Sequence, residues 1–373
     1  MNKKKRIIVS VTNDLYTDQR VHKVCMFLHE NDFDVLLVGR KLKDSASLPE
    51  RPYKTKRFKL LAEKGALFYA CYNLRLFSFL LFKRAAILLS NDLDTLLANY
   101  CAKKLKPKTA IIYDTHELFT EVPELTARPK TRKVWLLIEK LIFPKLKKVY
   151  TVNESIAKIY QEKYGVKVHV VRNVSPRWSP KNIPSKKELG IPEQKDLLIL
   201  QGAGINVDRG AEEAVEAMKN INDTCLLIVG SGDVIPQLKT RVKKEGIADK
   251  VLFFGRKPYN EMMYYTFHAD LGLTLDKDTN ANYRYSLPNK VFDYIHAGTP
   301  IIASNLVEVQ RIIKKHKVGK IIPSHQPSDI EQTINDLFKE KALLEQLKLN
   351  CKKAATIECW ENELTVLKEI YGL

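Results

Sequence analysis

Tyr285–Ser304 reads YSLPNKVFDYIHAGTPIIAS, and the fold is decided here. Val291, Phe292 and Ile295 recur at helical spacing, so one face is apolar. Ser286 is a candidate N-cap, and Pro288 fits a first turn, where its missing N–H has no partner to lose. Gly298 is a natural helix stop, and IIAS then reads as a short buried strand. The first turn of that helix carries Asn289 and Lys290. Free N–H groups, the positive end of a helix dipole and a lysine charge together suit a phosphate or diphosphate. Asp293, one turn on, can accept hydrogen bonds from ribose hydroxyls. An ordinary amphipathic helix with a solvated lysine and aspartate explains the same letters about as well.

The surrounding sequence repeats that strand and helix alternation. LLILQ (197–201), CLLIVG (225–230), VLFFG (251–255), DLGLTL (270–275), PIIAS (300–304) and VGKII (318–322) are strand candidates separated by helical stretches. That is a doubly wound α/β domain. Upstream, SPRWSPKNIPSKKELGIPEQK follows Asn173, and its four prolines and polar filler mark residues 176–190 as a linker. The first half has the same logic. KRIIVSV, DVLLVG at 34–39, AAILLSND at 85–92, AIIYDTHE at 110–117, VYTV and VHVVRN read as strands, with helices over 18–29, 131–146 and 153–164. The division expected is 1–175 for a basic N-terminal domain, 191–350 for a second domain and 351–373 for a C-terminal helix that packs back on the first.

Charge and cysteine content limit the classes of function. The formal charge is +19, and it is uneven: residues 1–175 hold 34 Lys and Arg against 17 Asp and Glu, while the rest hold 28 against 26. A basic half beside a near-neutral half points to an anionic partner for the first domain. Residues 51–84 are basic and then apolar, which fits either a helix packed on the sheet or a segment in the interface of an anionic membrane. No nucleic-acid-binding motif accompanies the charge, so no nucleic acid partner is expected. The six cysteines (25, 71, 101, 225, 351, 359) form no CxxC pair and the histidines no HExxH, so thiols in a reducing cytoplasm and no metal site are expected. IIVSV is too short for the apolar core of a signal peptide, and no apolar run reaches 18 residues.

Two further turns suit phosphate. In QGAGINVDRG a strand ends at Gln201, Gly202 and Gly204 let backbone approach a ligand, and Arg209 can pair with an oxyanion through two N–H groups. GSGD, opening at Gly230, is again a strand-to-helix turn. Neither has the GxGxxG spacing with a downstream acid, which excludes a nicotinamide fingerprint. In the first half, the polar loop TNDLYTDQR follows the first strand, where open α/β sheets bind ligands. Asn13, Asp14, Asp18 and Arg20 are candidates there, with turn and cap chemistry the competing explanation for Asn13 and Asp18. Tyr113-Asp114-Thr115-His116-Glu117 is the densest cluster of chemistry in that half. Its Asp, His and Glu can orient a substrate hydroxyl or meet a phosphate, and a structural histidine is the competing explanation.

Taken together, NDLYTDQRVHK, YDTHE, VVRN, the Gly-Arg-Gly loop at 202–210, GRKPYNEMMYYTFHAD at 255–270 and SLPNKVFDYIHAGTP resemble a family 4 glycosyltransferase over nearly the whole chain. The resemblance implies a GT-B fold, two Rossmann-like domains facing across a cleft that holds a nucleotide-sugar. It also implies metal-independent transfer (EC 2.4) with retention of anomeric configuration. Carried over by position, Arg209 and Lys290 resemble the diphosphate clamp, and Ser286, Leu287 and Asn289 the loop whose backbone meets the phosphates. Asp293 resembles the ribose-binding acid, Gly255, Arg256 and Lys257 the segment that brackets the base, and His116 the residue near the transferred sugar. Asn13, Asp18, Arg20 and Glu117 are then acceptor-side candidates. The chain departs from the family at Tyr285, where a first Glu usually grips the sugar, at Gly204, where many members have Arg, and in NDLYTDQR, which replaces a double-Gly loop. The acceptor expected is a lipid-linked or surface glycan, met by a cytoplasmic protein peripheral to the inner face of the membrane. The competing functions are a nucleotide-sugar epimerase or hydrolase, and a non-catalytic sugar-nucleotide-binding protein.

Overall fold

The computed structural model describes residues 4–16 and 18–373. The chain divides into two compact units, residues 1–173 with Leu364–Leu373, and Val174–Glu363. Each is built on one parallel sheet.

In the first unit the strands are β1 (Arg6–Asp14), β2 (Asp34–Lys41), β3 (Lys54–Lys59), β4 (Ile87–Asn91), β5 (Ala110–Thr115), β6 (Val149–Thr151) and β7 (Val168–Val170). Their spatial order is β3-β2-β1-β4-β5-β6-β7, all parallel. Parallel strands covered on both faces need continuous apolar runs, and Ile7, Ile8 and Val9 are fully buried. β3 was not legible as a strand: KTKRFK buries only Phe58. Its lysines sit on the sheet's edge, where charge blocks further strand pairing. The helix expected over 131–146 runs Pro129–Ile142, and a 3₁₀ turn at Phe143–Lys145 follows.

Helix Gly65–Phe82 has the length and composition of a membrane span, with a mean hydropathy of 1.4. One side of it is nevertheless built into the domain. Phe68, Tyr72, Leu76 and Leu80, four residues apart, are buried in the core with Ile8, Val38, Phe58 and Leu88. Tyr72 donates its hydroxyl to the Val11 carbonyl at 2.6 Å. Leu364–Leu373 completes this unit. The Tyr371 ring lies 6.2 Å from those of both Phe27 and Phe33, and Lys148 donates to the Ile370 carbonyl.

The second unit has β8 (Asp196–Gly202), β9 (Thr224–Gly230), β10 (Val251–Gly255), β11 (Leu271–Thr274), β12 (Ile301–Ala303) and β13 (Gly319–Ile321). Their order is β10-β9-β8-β11-β12-β13. Strand order reverses between β8 and β11, and loops leaving that switch point form the crevice where such sheets bind ligands. The proline-rich stretch 176–190 lies against this unit. Trp178 meets Tyr264 and Phe267 at 6.4 and 6.0 Å, and His268 Nε2 pairs with the Pro184 carbonyl at 2.7 Å.

Candidate active site

The helix expected in YSLPNKVFDYIHAGTP spans Asn289–Ala297, and Gly298 ends it in the left-handed conformation at φ 77°. Its N-cap is Pro288 in an extended conformation, not Ser286. A separate short helix, Ala281–Arg284, intervenes, and Ser286 Oγ donates instead to the Tyr283 carbonyl at 2.8 Å. Lys290 therefore sits in the first turn, among N–H groups with no partner inside the helix. Leu287 and Tyr285 are half-buried on the approach, and Asn289 is exposed.

Arg209 and Lys290 converge on one residue that the sequence reading missed. Arg209 Nη1 lies 2.9 Å from Asp276 Oδ1, and Lys290 Nζ lies 3.4 Å from Asp276 Oδ2. Asp276 follows β11 and Arg209 ends the loop after β8, so the switch point brings them together. The Asp276 side chain is 1% exposed, against 26% for Arg209 and 14% for Lys290. Burial pushes the Asp276 carboxyl up, but the Lys290 and Arg209 charges outweigh it and hold the group below its ordinary range. The same carboxylate keeps the Arg209 guanidinium charged against its own burial. The guanidinium also lies over the Tyr283 ring, 4.2 Å from its centroid, and its buried Nε has no hydrogen-bond partner. Two cations thus share one buried anion and keep donor capacity for a second, more highly charged one.

The glycine turns divide into two kinds. At Gly230, φ is 154° and a Cβ would stand 1.9 Å from the Gly202 carbonyl oxygen, so this glycine serves the packing of one turn on the other. The turns are joined further by Ser231 N–H to the Gly202 carbonyl at 3.1 Å and Ile205 N–H to the Ser231 carbonyl at 2.9 Å. Gly202 and Gly204 have no atom closer than 3.8 Å to such a Cβ, and their backbone has an open side. Gly210 accepts the Leu275 backbone at 2.3 Å from a Cβ position, which brings the loop of Arg209 against the strand end that carries Asp276.

Asp293 lies outside the Arg209–Lys290 cluster. Its Oδ1 accepts from Ser175 Oγ at 2.6 Å and Tyr259 OH at 3.2 Å, and its Oδ2 from Gln201 Nε2 at 3.2 Å. It is buried, and its bonds tie β8, the 175 segment and the start of helix Tyr259–His268 together. Gly255, at φ 65°, ends β10, exposed Arg256 follows, and Lys257 pairs with Glu261 at 2.6 Å.

The first unit carries its own charged cluster at the strand ends. His116 Nδ1 is 3.1 Å from Asp92 Oδ2, and Nε2 faces Asp114 Oδ2 at 3.2 Å as an ion pair outside hydrogen-bond geometry. Burial opposes a charge on the ring, but Asp92 and Asp114 outweigh it and raise the His116 pKa well above the ordinary histidine value, which favours the charged imidazolium. Asp92 stands at φ 56°, ψ 168°, a region almost confined to glycine, and accepts the His116 N–H at 2.8 Å. Such strain persists where surrounding bonds over-determine it, as at ligand sites.

Arg20 is not available to an acceptor. It is 3% exposed, its guanidinium forks onto Asp114 at 2.7 and 3.1 Å, and Nη1 donates to the Val171 carbonyl. Asp18 caps helix Gln19–Glu30 through the Val21 N–H, and Asn13 donates to Asp18 at 3.1 Å, so cap chemistry engages both. Asp14 is held by Arg57 at 3.1 Å and by Ser45. Glu117 is half-buried beside His116 in the chain.

Two family models match the chain, one over each half: Glycosyltransferase Family 4 over residues 18–174 and Glycosyl transferases group 1 over residues 182–355. The chain belongs to the family 4 glycosyltransferases. This glycosyltransferase has the GT-B fold. Sucrose-phosphate synthase from Thermosynechococcus elongatus superimposes with a TM-score of 0.77 at 16% identity, covering 99% of this chain and 98% of that one. Anabaena Alr3699/HepE in complex with UDP and glucose gives 0.75 at 12% identity and 99% coverage of both. A chitobiosyldiphosphodolichol beta-mannosyltransferase from Candida albicans is 20% identical over 191 residues, 48% of this chain and 40% of that protein. The match thus spans less than half the length of that relative.

Proposed function

We propose that this glycosyltransferase moves a sugar from a nucleotide-diphosphate donor to a lipid-linked or surface-glycan acceptor, with retention of configuration. The observation that carries the reading is the convergence of Arg209 and Lys290 on Asp276 at the switch point of the second sheet. Breaking the glycosidic bond leaves negative charge on the diphosphate, and preorganised cations act where that charge develops. Arg209, Lys290 and the N-terminus of helix Asn289–Ala297 meet it in place of a divalent cation. The UDP complex of the Anabaena protein supports a nucleotide-sugar donor. With its pKa raised by Asp92 and Asp114, His116 contributes charge and an N–H rather than base chemistry. The acceptor hydroxyl attacks from the leaving-group face and gives its proton to a phosphate oxygen. The name of the Candida relative describes a beta-mannosyl product; from an alpha-linked donor such a product means inversion, a second reading that product NMR distinguishes from retention.

The basic first half favours an acceptor at the cytoplasmic face of the membrane, where the protein would be peripheral. The experiment is turnover of Arg209→Ala and Lys290→Ala in a transfer or donor-hydrolysis assay. Each is expected to lose on the order of 100–1000-fold, or ~2.7–4 kcal/mol. Unchanged turnover in both removes the reading. Epimer formed from donor alone would favour an epimerase instead.

A further inference from the structure

Three helices of the first unit lie side by side, Gly65–Phe82, Leu93–Leu105 and Pro129–Ile142. Asn73 Nδ2 donates to the Asp94 carbonyl at 2.7 Å, which joins the first to the second. Tyr69 meets Trp135 edge-on at 5.3 Å, which joins the first to the third. Their inner sides are ordinary core: Phe68, Tyr72, Leu76 and Leu80 on the first, Trp135 and Ile142 on the third. Their outer sides are also apolar. Leu67 is 64% and Leu74 68% exposed, one heptad apart, so they share the side opposite the core. Val134, Leu137 and Leu141 are each more than half exposed, on the face of their helix away from Trp135. Leu97, on the helix between, is exposed as well.

The charges on these helices decide what such a face meets. Within the three spans there are only two carboxylates, Asp94 and Glu139, and both are buried. Glu139 is held by Lys163 at 2.7 Å and Tyr164 at 2.5 Å. The exposed charges are all positive: Arg75, Lys104, Lys130, Lys133 and Lys140. A surface for another protein typically has a polar rim, where charges of both signs can pair with a partner. Exposed leucines interleaved with cations, and no exposed acid within these three helices, complement an anionic lipid leaflet, where the apolar side chains enter the acyl boundary and the lysines reach headgroups.

We propose that this three-helix face docks the protein on an anionic membrane surface, lying in the interface without crossing it. Helix Gly65–Phe82 is tied to its neighbours by Asn73 and to β3 by Arg75, which donates to the Lys59 carbonyl at 2.6 Å. Crossing would pull the core side of this helix out of the domain. The inference deepens the peripheral location proposed above, and it is independent of the donor chemistry.

The test is co-sedimentation of the whole protein with vesicles of phosphatidylcholine alone and with added phosphatidylglycerol. Wild type is compared with a Val134→Ser, Leu137→Ser, Leu141→Ser variant and a Lys130→Glu, Lys133→Glu, Lys140→Glu variant. Wild type is expected to bind the anionic vesicles and not the neutral ones. The serine variant should lose at least on the order of tenfold in partitioning, from three apolar side chains no longer buried. The glutamate variant should lose binding entirely. Nucleoside diphosphate thermal shifts report separately that each variant is folded with an intact donor site. Equal binding to both vesicle types, no binding by wild type, or full binding by the serine variant overturns the proposal. So does a wild-type dimer in sedimentation that the serine substitutions dissociate, since a second copy would then cover the face.

Discussion

Asp276→Asn isolates the part of the site that holds Arg209 and Lys290 together. The amide keeps the size of the side chain and removes its charge, leaving two cations around a buried neutral group 2.9 and 3.4 Å from them. Breaking a wholly buried pair costs about 3–5 kcal/mol. Here the cations are 26% and 14% exposed, so water screens part of the loss, and ~2 kcal/mol is the expected cost at pH 7. For a unit the size of Val174–Glu363 that is a fall in Tm of roughly 4–8 °C. The sign of the pH dependence is fixed. A carboxyl depressed in the folded state stabilises above its unfolded value and loses that contribution as pH falls. The gap between wild type and variant should therefore persist down to about pH 4 and narrow only below it. A nucleoside diphosphate brings negative charge back to the two cations and should raise the variant's Tm by more than the wild type's. Differential scanning fluorimetry with and without the nucleotide measures both. A variant with unchanged Tm, or one that a saturating diphosphate stabilises less than wild type, refutes the shared-anion reasoning.

Other outcomes follow from the same geometry. The Asp94 carboxyl is raised to about 8, first by burial and then by Asp92, and Thr12 donates to it at 2.5 Å. A carboxyl raised on folding costs stability as pH climbs from about 4 to about 8, so Asp94→Asn should gain on wild type across that window in urea unfolding. The His116 ring should titrate above the ordinary histidine value by NMR, and titration at or below that value would contradict its placement between Asp92 and Asp114. Gly230→Ala forces a Cβ to 1.9 Å from a backbone oxygen and should cost ~3 kcal/mol or more. Gly204→Ala should leave Tm nearly unchanged, and any loss of donor affinity in it then reports a ligand at that open backbone.

The fold was legible because parallel strands buried on both faces leave continuous apolar runs such as RIIVSV and DLLIL. β3 was not, because an edge strand needs one buried residue, Phe58, and carries charge elsewhere. Lys290 and Arg209 were found through helix-start and glycine-turn chemistry. Asp276 was missed although it stands at a strand end just as Asp114 does. Its role depends on which strand neighbours β8, and pairing order is a tertiary property that local pattern does not contain. Arg20 was placed on the acceptor side because it follows a polar loop. Its burial against Asp114, 94 positions away, is a contact across the sheet that no spacing reveals. The exposed stripe on helix Pro129–Ile142 is not legible because Val134, Leu137 and Leu141 adjoin its buried apolar face, and only packing shows where burial stops.

The most direct measurement is a thermal-shift panel of UDP, GDP and ADP against wild type and an Arg209→Ala, Lys290→Ala double variant. At least one diphosphate should raise the wild-type Tm. At about 100 times its Kd the stabilisation is ~2.7 kcal/mol, or roughly 5–10 °C for a unit of this size. The bare nucleoside should do far less, and the double variant should show no shift. Equal stabilisation of wild type and double variant, or none of wild type by any diphosphate, would contradict the claim that these two cations are built to hold a pyrophosphate.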